Sequence, residues 1–208
     1  MTLLTKLFQY VLLATKKYNI DESHGLSHSM NILNFANDIY EAEVLNKPHL
    51  KDQKRIIYTA AVLHDMCDKK YMNEDDGIQE ISEFLSDKMT QTEINATKNI
   101  IQTMSYSKVK KFGYPELKEY QTAYHIVREA DLLSAYDFDR CMIYNMNMDK
   151  SNKCVYEAFS DADKLFTNRV LKHNEDNLFV TEYSKQLSRE LHGVAINRIN
   201  AWRRLLSH

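Results

Sequence analysis

Two histidines and two aspartates are the residues of this chain whose types suit metal chemistry: His28, the adjacent pair His64-Asp65, and Asp131. Imidazole nitrogens and carboxylate oxygens form a mixed donor set. Such a set is typical of a site for a divalent ion such as Mn, Mg, Fe, Co or Ni, rather than of a zinc site built from thiolates. Because Asp65 follows an apolar run, residues 59–63, it is a poor choice for packing and a good choice for ligation.

Helices must position these side chains, because the chain is poor in turn residues. It has four glycines and two prolines among 208 residues, whereas the two types together average ~12%. A β-rich fold needs many tight turns. The sequence therefore predicts an all-α fold, and its length fits one domain over residues 1–208 with a single core.

Apolar residues recur at helical spacing along most of the chain. Asn73 begins an acidic helix start, and Thr90 with Glu93 forms a capping box. The predicted helices cover about residues 1–14, 27–45, 48–64, 73–85, 90–104, 116–138, 155–172 and 178–206. Loops are predicted at 66–73, 105–115 and 144–153. The metal-site core would span about 20–138, with the C-terminal helices of about 155–206 packed on it.

The N-terminal segment, residues 1–14, admits two interpretations. Its leucines recur at helical spacing, and Lys6 and Gln9 interrupt the apolar run. This pattern favours an amphipathic packing helix over a secretory signal. No run in the sequence approaches the ~18 apolar residues that a membrane span needs, so no membrane association is expected.

The net charge and the cysteine content limit which functions and which cellular location we expect for this chain. A net charge of -2 and the lack of a basic-aromatic stripe argue against nucleic-acid binding. The three cysteines, Cys67, Cys141 and Cys154, form no CxxC pair. A disulfide framework or a structural zinc is therefore not expected, and a reducing, cytoplasmic location is predicted.

The metal candidates lie on the inner faces of their predicted helices. His28 and Asp131 each share a face with apolar residues, and His64 lies at the last buried turn of its helix. A lone inward histidine is more often a hydrogen-bonded core residue, and the pair His64-Asp65 also suits a plain helix end. An ionised carboxylate in an apolar stripe, however, is costly unless it is paired or bound to a metal. Together the three features favour one shared site.

In this order the residues resemble the HD superfamily of metal-dependent phosphohydrolases. Three segments are similar to its metal motifs: His24-Gly25-Leu26-Ser27-His28, Ala60-Ala61-Val62-Leu63-His64-Asp65 and Arg128-Glu129-Ala130-Asp131. Others resemble the small bacterial HD-domain nucleoside triphosphate pyrophosphohydrolases: Asp68-Lys69-Lys70, residues 73–77 and residues 101–106. The resemblance implies an all-α, HD-type helical bundle with the metal between helices.

Carried over residue by residue, the resemblance makes His28, His64, Asp65 and Asp131 the ligands of one divalent ion. Mn or Mg is expected first, with Fe, Co, Ni or Zn as further candidates. The implied activity is hydrolysis of a phosphoanhydride or phosphoester, most simply in a (deoxy)nucleotide, by a metal-activated water. The expected partner is thus a small phosphorylated substrate, and a monomer and a homodimer both stay open.

Catalytic candidates surround the ligand set. Asp68 is three positions after Asp65, where it is a candidate for handling the water proton. Lys69 and Lys70 are candidates for phosphate contacts, and His24 is a candidate for orienting the water or touching phosphate. The plain alternative for each is a solvated charge or a hydrogen bond within the loop.

Substrate-binding candidates are Arg128, Ser105 and Tyr106. Arg128 lies one turn before Asp131 on the predicted helix and is expected to reach the site from the same face. Ser105 and Tyr106 are expected to line the substrate pocket, although Tyr106 equally suits a core position.

One departure keeps a second hypothesis open. Where the resembling subfamily has Asp-Arg-Leu-Asp, this chain has Asp131-Leu132-Leu133-Ser134, so the second acidic position is lost. The alternative to an enzyme is therefore a non-catalytic metal-binding sensor or interaction module with an HD fold.

Overall fold

The computed structural model describes residues 1–148 and 153–207, apart from the side chain of Met148. Every regular element in these two ranges is helical, which confirms the predicted all-α fold. The α-helices are α1 Leu3–Tyr18, α2 Leu26–Val44, α3 Lys54–Leu63, α4 Glu74–Leu85, α5 Gln91–Thr103, α6 Tyr106–Phe112, α7 Gln121–Ser134, α8 Phe138–Met148, α9 Val155–Asn168 and α10 Glu182–Leu206. Short 3₁₀ turns cover Glu22–His24, Pro48–Gln53, Lys118–Tyr120 and Val170–Lys172.

Helices α2, α3 and α7 form the centre of the bundle. Each packs against the other two, while α1 and α5 also pack on α3. The C-terminal half of α3 is therefore enclosed by its neighbours, and residues 59–63 are fully buried. This burial explains why the second half of α3 lacks charged residues, whereas Lys54 and Arg55 lie in its first turn. Helices α9 and α10 pack on α8 and α7, respectively, and complete the bundle. In the part of the chain described, none of the helices combines the length and apolar character that crossing a membrane demands.

Local capping explains where several helices begin. The Asn73 side chain accepts hydrogen bonds from the backbone of Asp75 and Asp76, and Thr90 and Glu93 form the predicted capping box. These two predicted starts are confirmed. The helix predicted over 27–45 begins one residue earlier, at Leu26, with Gly25 at its N-cap and no side-chain cap.

The predicted long helix over 116–138 is wrong at both ends. A 3₁₀ turn precedes α7, and α7 ends at Ser134, whose hydroxyl donates to the carbonyl of Asp131 at 2.9 Å. That bond offers the backbone an alternative to another helical turn. Asp137 then accepts a hydrogen bond from the backbone of Arg140 at 3.0 Å, within the first turn of α8. A serine and an aspartate thus separate two helices that the apolar pattern joins.

Two predicted loops contain helical structure. Ser105 caps α6 inside the predicted loop 105–115, and Gly113 ends that helix with a φ of 77°. The predicted loop 144–153 is also wrong in its first part, because α8 continues to Met148. Residues 149–152 lie outside the described residues.

Candidate metal centre

The helices at the centre of the bundle bring three side chains into one cluster. His28 lies in the first turn of α2, and His64 and Asp65 directly follow α3. The two Nε2 atoms are 3.3 Å apart, and each is 3.2 Å from Oδ2 of Asp65. The imidazoles are buried, with 1% and 4% of their side-chain surface exposed. Candidate ligand atoms of these three residues all lie within 4.8 Å of one another.

Asp131 on α7 borders this cluster. Its Oδ1 is 3.9 Å from Nε2 of His28 and 3.8 Å from Nε2 of His64, and its side chain is 31% exposed. Ligand bonds of about 2.0–2.2 Å place neighbouring ligand atoms roughly 3 to 3.4 Å apart. The triad has these separations, and Asp131 is a few tenths of an ångström farther away. The predicted ligands are therefore assembled as three close groups and one at the rim.

The donor set fits a cation in two respects. Oδ2 of Asp65 is buried and lacks a hydrogen-bond donor in suitable geometry, although two imidazole nitrogens lie 3.2 Å away. Such an orphaned carboxylate oxygen is costly unless something positive engages it. In addition, Nδ1 of His64 lies 2.9 Å from the carbonyl of Ala61. A hydrogen on Nδ1 donated to that carbonyl leaves the Nε2 lone pair directed at the cluster.

The side chains of the cluster shift one another's pKa values. Burial lowers the pKa of His28 to about 4, opposed by the nearby Asp65 carboxylate and assisted by the positive charge of Arg140. Burial also lowers the pKa of His64, but the negative charges of Asp65 and Asp131 outweigh it and raise this pKa to about 9. Burial raises the pKa of Asp65, yet the neighbouring rings of His64 and His28 hold it well below its usual range. The pKa shifts of the two histidines are therefore opposite in direction, while the Asp65 carboxylate stays ionised between them.

A cavity of about 420 Å³ opens beside the cluster. Its wall includes six of the seven non-ligand residues that the sequence singled out, namely His24, Asp68, Lys69, Lys70, Ser105 and Tyr106. Nδ1 of His24 lies 2.8 Å from the Ser23 hydroxyl and 3.1 Å from the Tyr71 hydroxyl. The Tyr71 hydroxyl in turn donates to Asp21. These contacts hold the His24 ring at the edge of the cavity.

The lysines around the cavity differ in how freely they can meet a ligand. Nζ of Lys70 is 3.4 Å from Oδ2 of Asp68 and 5.2 Å from the centre of the Tyr144 ring. Lys108 is paired with Glu74. Lys69 is exposed.

The structure places Arg128 outside the cavity, so its prediction as a substrate contact is wrong. Its guanidinium is buried, donates to the carbonyl of Leu178 and lies 3.2 Å from a carboxylate oxygen of Glu129. It also stacks 4.8 Å from the centre of the Tyr114 ring. The long side chain reaches these partners on the α10 side of α7, so helical spacing from Asp131 does not bring it to the site.

Several residues of the cavity wall are not predicted from the sequence, and the polar ones among them include Arg140, Tyr144 and Arg169. They come from α8 and from the end of α9, after the segments that carry the resemblance. Nη1 of Arg140 donates to the carbonyl of Ser23 at 3.1 Å and lies beside the His28 ring. No motif or spacing marks these residues, because only tertiary packing brings them to the metal side of the bundle.

Gly77 holds the segment that carries the cluster. A Cβ on Gly77 would lie 2.7 Å from Cβ and 2.9 Å from Cα of Cys67, and 2.8 Å from the sulfur of Met72. Because one of these atoms, Cα, belongs to the backbone of Cys67, the segment 64–73 would have to shift to relieve the clash. We expect Gly77→Ala to lower the free energy of unfolding by about 1–3 kcal/mol and to weaken Mn²⁺ binding, measured by denaturation and calorimetry.

The matched control is Gly193→Ala, inside α10, where a Cβ meets nothing within 4 Å. This change should stabilise the protein by about 0.4–1 kcal/mol by restricting the unfolded chain. Equal stability and equal Mn²⁺ affinity of the two variants would contradict the role assigned to Gly77.

No family model matches this chain, and no curated protein matches it. It does resemble a solved structure, the crystal structure of a Lactobacillus plantarum protein that was a Northeast Structural Genomics target. The TM-score is 0.68, and the match covers 98% of this chain and 96% of the other at 20% sequence identity. At that identity the likeness shows a common helical bundle and carries no information about chemistry.

Proposed function

We propose that this protein is a metal-dependent phosphohydrolase of the HD type that acts on a small phosphorylated substrate. The observation that carries the proposal is the convergence of His28, His64 and Asp65 at 3.2–3.3 Å, with an orphaned carboxylate oxygen among them. Asp131 is the fourth proposed ligand, and the cavity beside the cluster leaves room for a substrate. The resemblance of the motifs to HD phosphohydrolases agrees with this donor set.

When bound, a divalent ion supplies charge withdrawal from a phosphate oxygen and makes a water molecule more acidic. The ion is proposed to be Mn²⁺ or Mg²⁺, because carboxylate and imidazole donors suit both, although availability selects among metals at such sites. Side chains of the cavity wall are proposed to attract and position the substrate.

The proposed role of each side chain follows from its position in the cavity wall. Lys69 and Lys70 lie at the mouth, where their charge favours entry of a phosphate group. His24 is held by contacts with Ser23 and Tyr71, so its ring stays oriented toward the cavity. Asp68 accepts a hydrogen bond from the Lys70 backbone at 2.9 Å, which fixes the loop beside the cluster.

The cavity also has an apolar wall, which suits the organic part of a phosphorylated metabolite such as a nucleoside. Residues from α5, α7, α9 and the turn after it form this wall: Ile101, Met104, Leu132, Leu165, Phe166 and Val170. A (deoxy)nucleotide is accordingly the first substrate to test, as the resemblance to the HD nucleotide hydrolases suggests.

A non-catalytic sensor is the second candidate, and one observation favours it. Ser134, at the position where the resembling enzymes have a second aspartate, is buried and bonded to the Asp131 carbonyl. It does not line the cavity. With serine at this position, the chain keeps the cluster of candidate metal ligands but has one carboxylate fewer near it than the resembling enzymes.

A substrate panel separates the two candidates. We expect protein loaded with Mn²⁺, Mg²⁺, Co²⁺ or Ni²⁺ to release phosphate or pyrophosphate from at least one nucleoside mono-, di- or triphosphate or simple phosphomonoester. Chelator-treated protein should release neither, because the ligand cluster then lacks its ion. Stoichiometric metal binding without turnover of any substrate would contradict the enzyme and leave the sensor.

A further inference from the structure

Arg169 is a charged group of the cavity wall without a charged partner. It directly follows α9, and its Cζ lies 4.0 Å from the centre of the Tyr106 ring. Its Nε is buried and has no hydrogen-bond acceptor. Across residues 1–148 and 153–207, no carboxylate forms an ion pair with this guanidinium.

Such an arrangement is costly unless an anion is bound. Nε of Arg169 is buried and has therefore lost its contact with water, and this burial lowers the pKa of Arg169 against the attraction of Asp131. The Tyr106 ring, 4.0 Å from Cζ, lies against the guanidinium and attracts its positive charge. The edge, which carries the N–H donors, then stays available for two parallel hydrogen bonds to an oxyanion.

Arg140 is the second such group on this wall. Its Nη1 donates to the Ser23 carbonyl at 3.1 Å, and none of the carboxylates in the described part of the chain pairs with its guanidinium. The lysines of the cavity differ, because Lys70 is near Asp68 and Lys108 is near Glu74. The two remaining charged neighbours of the cavity have opposite signs: Lys69 and Asp137.

We propose that Arg140 and Arg169 form an anion subsite of this cavity that binds a single phosphate group beside the metal cluster. The two carboxylates of the ligand set, Asp65 and Asp131, balance a divalent ion. Two positive charges then remain on the arginines, and a phosphomonoester carries about −1.5 to −2 at neutral pH. The balance therefore favours a phosphomonoester over a triphosphate tail. The identity of the subsite as part of a substrate site rests on the proposed function.

Binding of inorganic phosphate to Mg²⁺-loaded protein tests the subsite without requiring turnover. Isothermal titration calorimetry should show one phosphate per chain. Arg169→Met should weaken this binding about 10- to 100-fold, because it removes a charge-assisted hydrogen-bond donor. The matched control is Arg189→Met, a change of an exposed arginine on α10, which should leave phosphate affinity unchanged.

Thermal melts decide whether each variant is folded. If Arg169→Met does not fold, Arg169→Lys takes its place: it keeps the charge, loses the planar fork and should weaken phosphate binding several-fold. Wild-type phosphate affinity in the folded variant, or no phosphate binding by the wild-type protein, would overturn the proposal. Phosphate binding that depends on Arg169 in a protein without hydrolase activity would instead contradict only the proposed function.

Discussion

Replacement of His64 by alanine is expected to lower Mn²⁺ affinity by more than about 100-fold, since loss of partners that only orient metal ligands already costs about 10- to 100-fold. Nε2 of His64 lies close to all three other candidate ligands, 3.3 Å from His28, 3.2 Å from Asp65 and 3.8 Å from Asp131. Its loss removes a nitrogen donor and leaves Asp65 with less compensating charge. Hydrolysis of every substrate found in the nucleotide panel should fall below detection.

The matched control is another buried histidine. His173 is fully buried, neither of its ring nitrogens has a hydrogen-bond partner, and it does not line the cavity. His173→Ala should therefore reduce stability through lost packing but keep one Mn²⁺ per chain in calorimetry and elemental analysis. Full metal content in the His64→Ala protein would contradict the assignment of His64 as a ligand.

Replacement of Glu129 by alanine is expected to lower the free energy of unfolding by about 3–5 kcal/mol, the cost of breaking a buried ion pair. Glu129 is fully buried on α7. Its carboxylate accepts hydrogen bonds from the backbone of Val180 at 2.7 Å and from the backbone and hydroxyl of Thr181 at 3.2 and 2.7 Å. It also lies 3.2 Å from the buried guanidinium of Arg128. The substitution removes these bonds and leaves Arg128 without its anion.

The location of Glu129 enlarges the expected effect. Thr181 is the N-cap of α10, so the carboxylate fixes the start of that helix and interacts favourably with its dipole. Urea denaturation measures the change, with Glu190→Ala on the exposed side of α10 as the control within about 0.5 kcal/mol of wild type. A loss below about 1 kcal/mol in Glu129→Ala would show that the network contributes little.

The sequence predicted those parts of the fold that depend on local interactions. The starts at Asn73 and Thr90 are set by side chains that bond to backbone within three residues. The periodic apolar stripes likewise place most helices within a few residues of where they lie. The end of α7 was not predicted, because Ser134 and Asp137 interrupt the helix through hydrogen bonds while the apolar pattern continues around them.

In the candidate site, too, the sequence predicts what the pattern within one helix determines and misses what depends on packing between helices. The ligand triad follows from residues on the inner faces of central helices, and the structure brings it together. Arg128 was misplaced because a long side chain on a predicted face can turn to a partner on another helix, here the carbonyl of Leu178. Arg140 and Arg169 were missed because their approach to the cavity depends on how α8 and α9 pack, which the spacing within one helix does not determine.

The central claim is that one divalent ion binds between His28, His64, Asp65 and Asp131. Anomalous diffraction from crystals grown with Mn²⁺ tests it most directly. We expect one anomalous peak per chain, within about 2.0–2.3 Å of donor atoms of these four residues, as metal–ligand bonds require. A well-ordered crystal with no peak there, or with its only peak at another place, would contradict the claim.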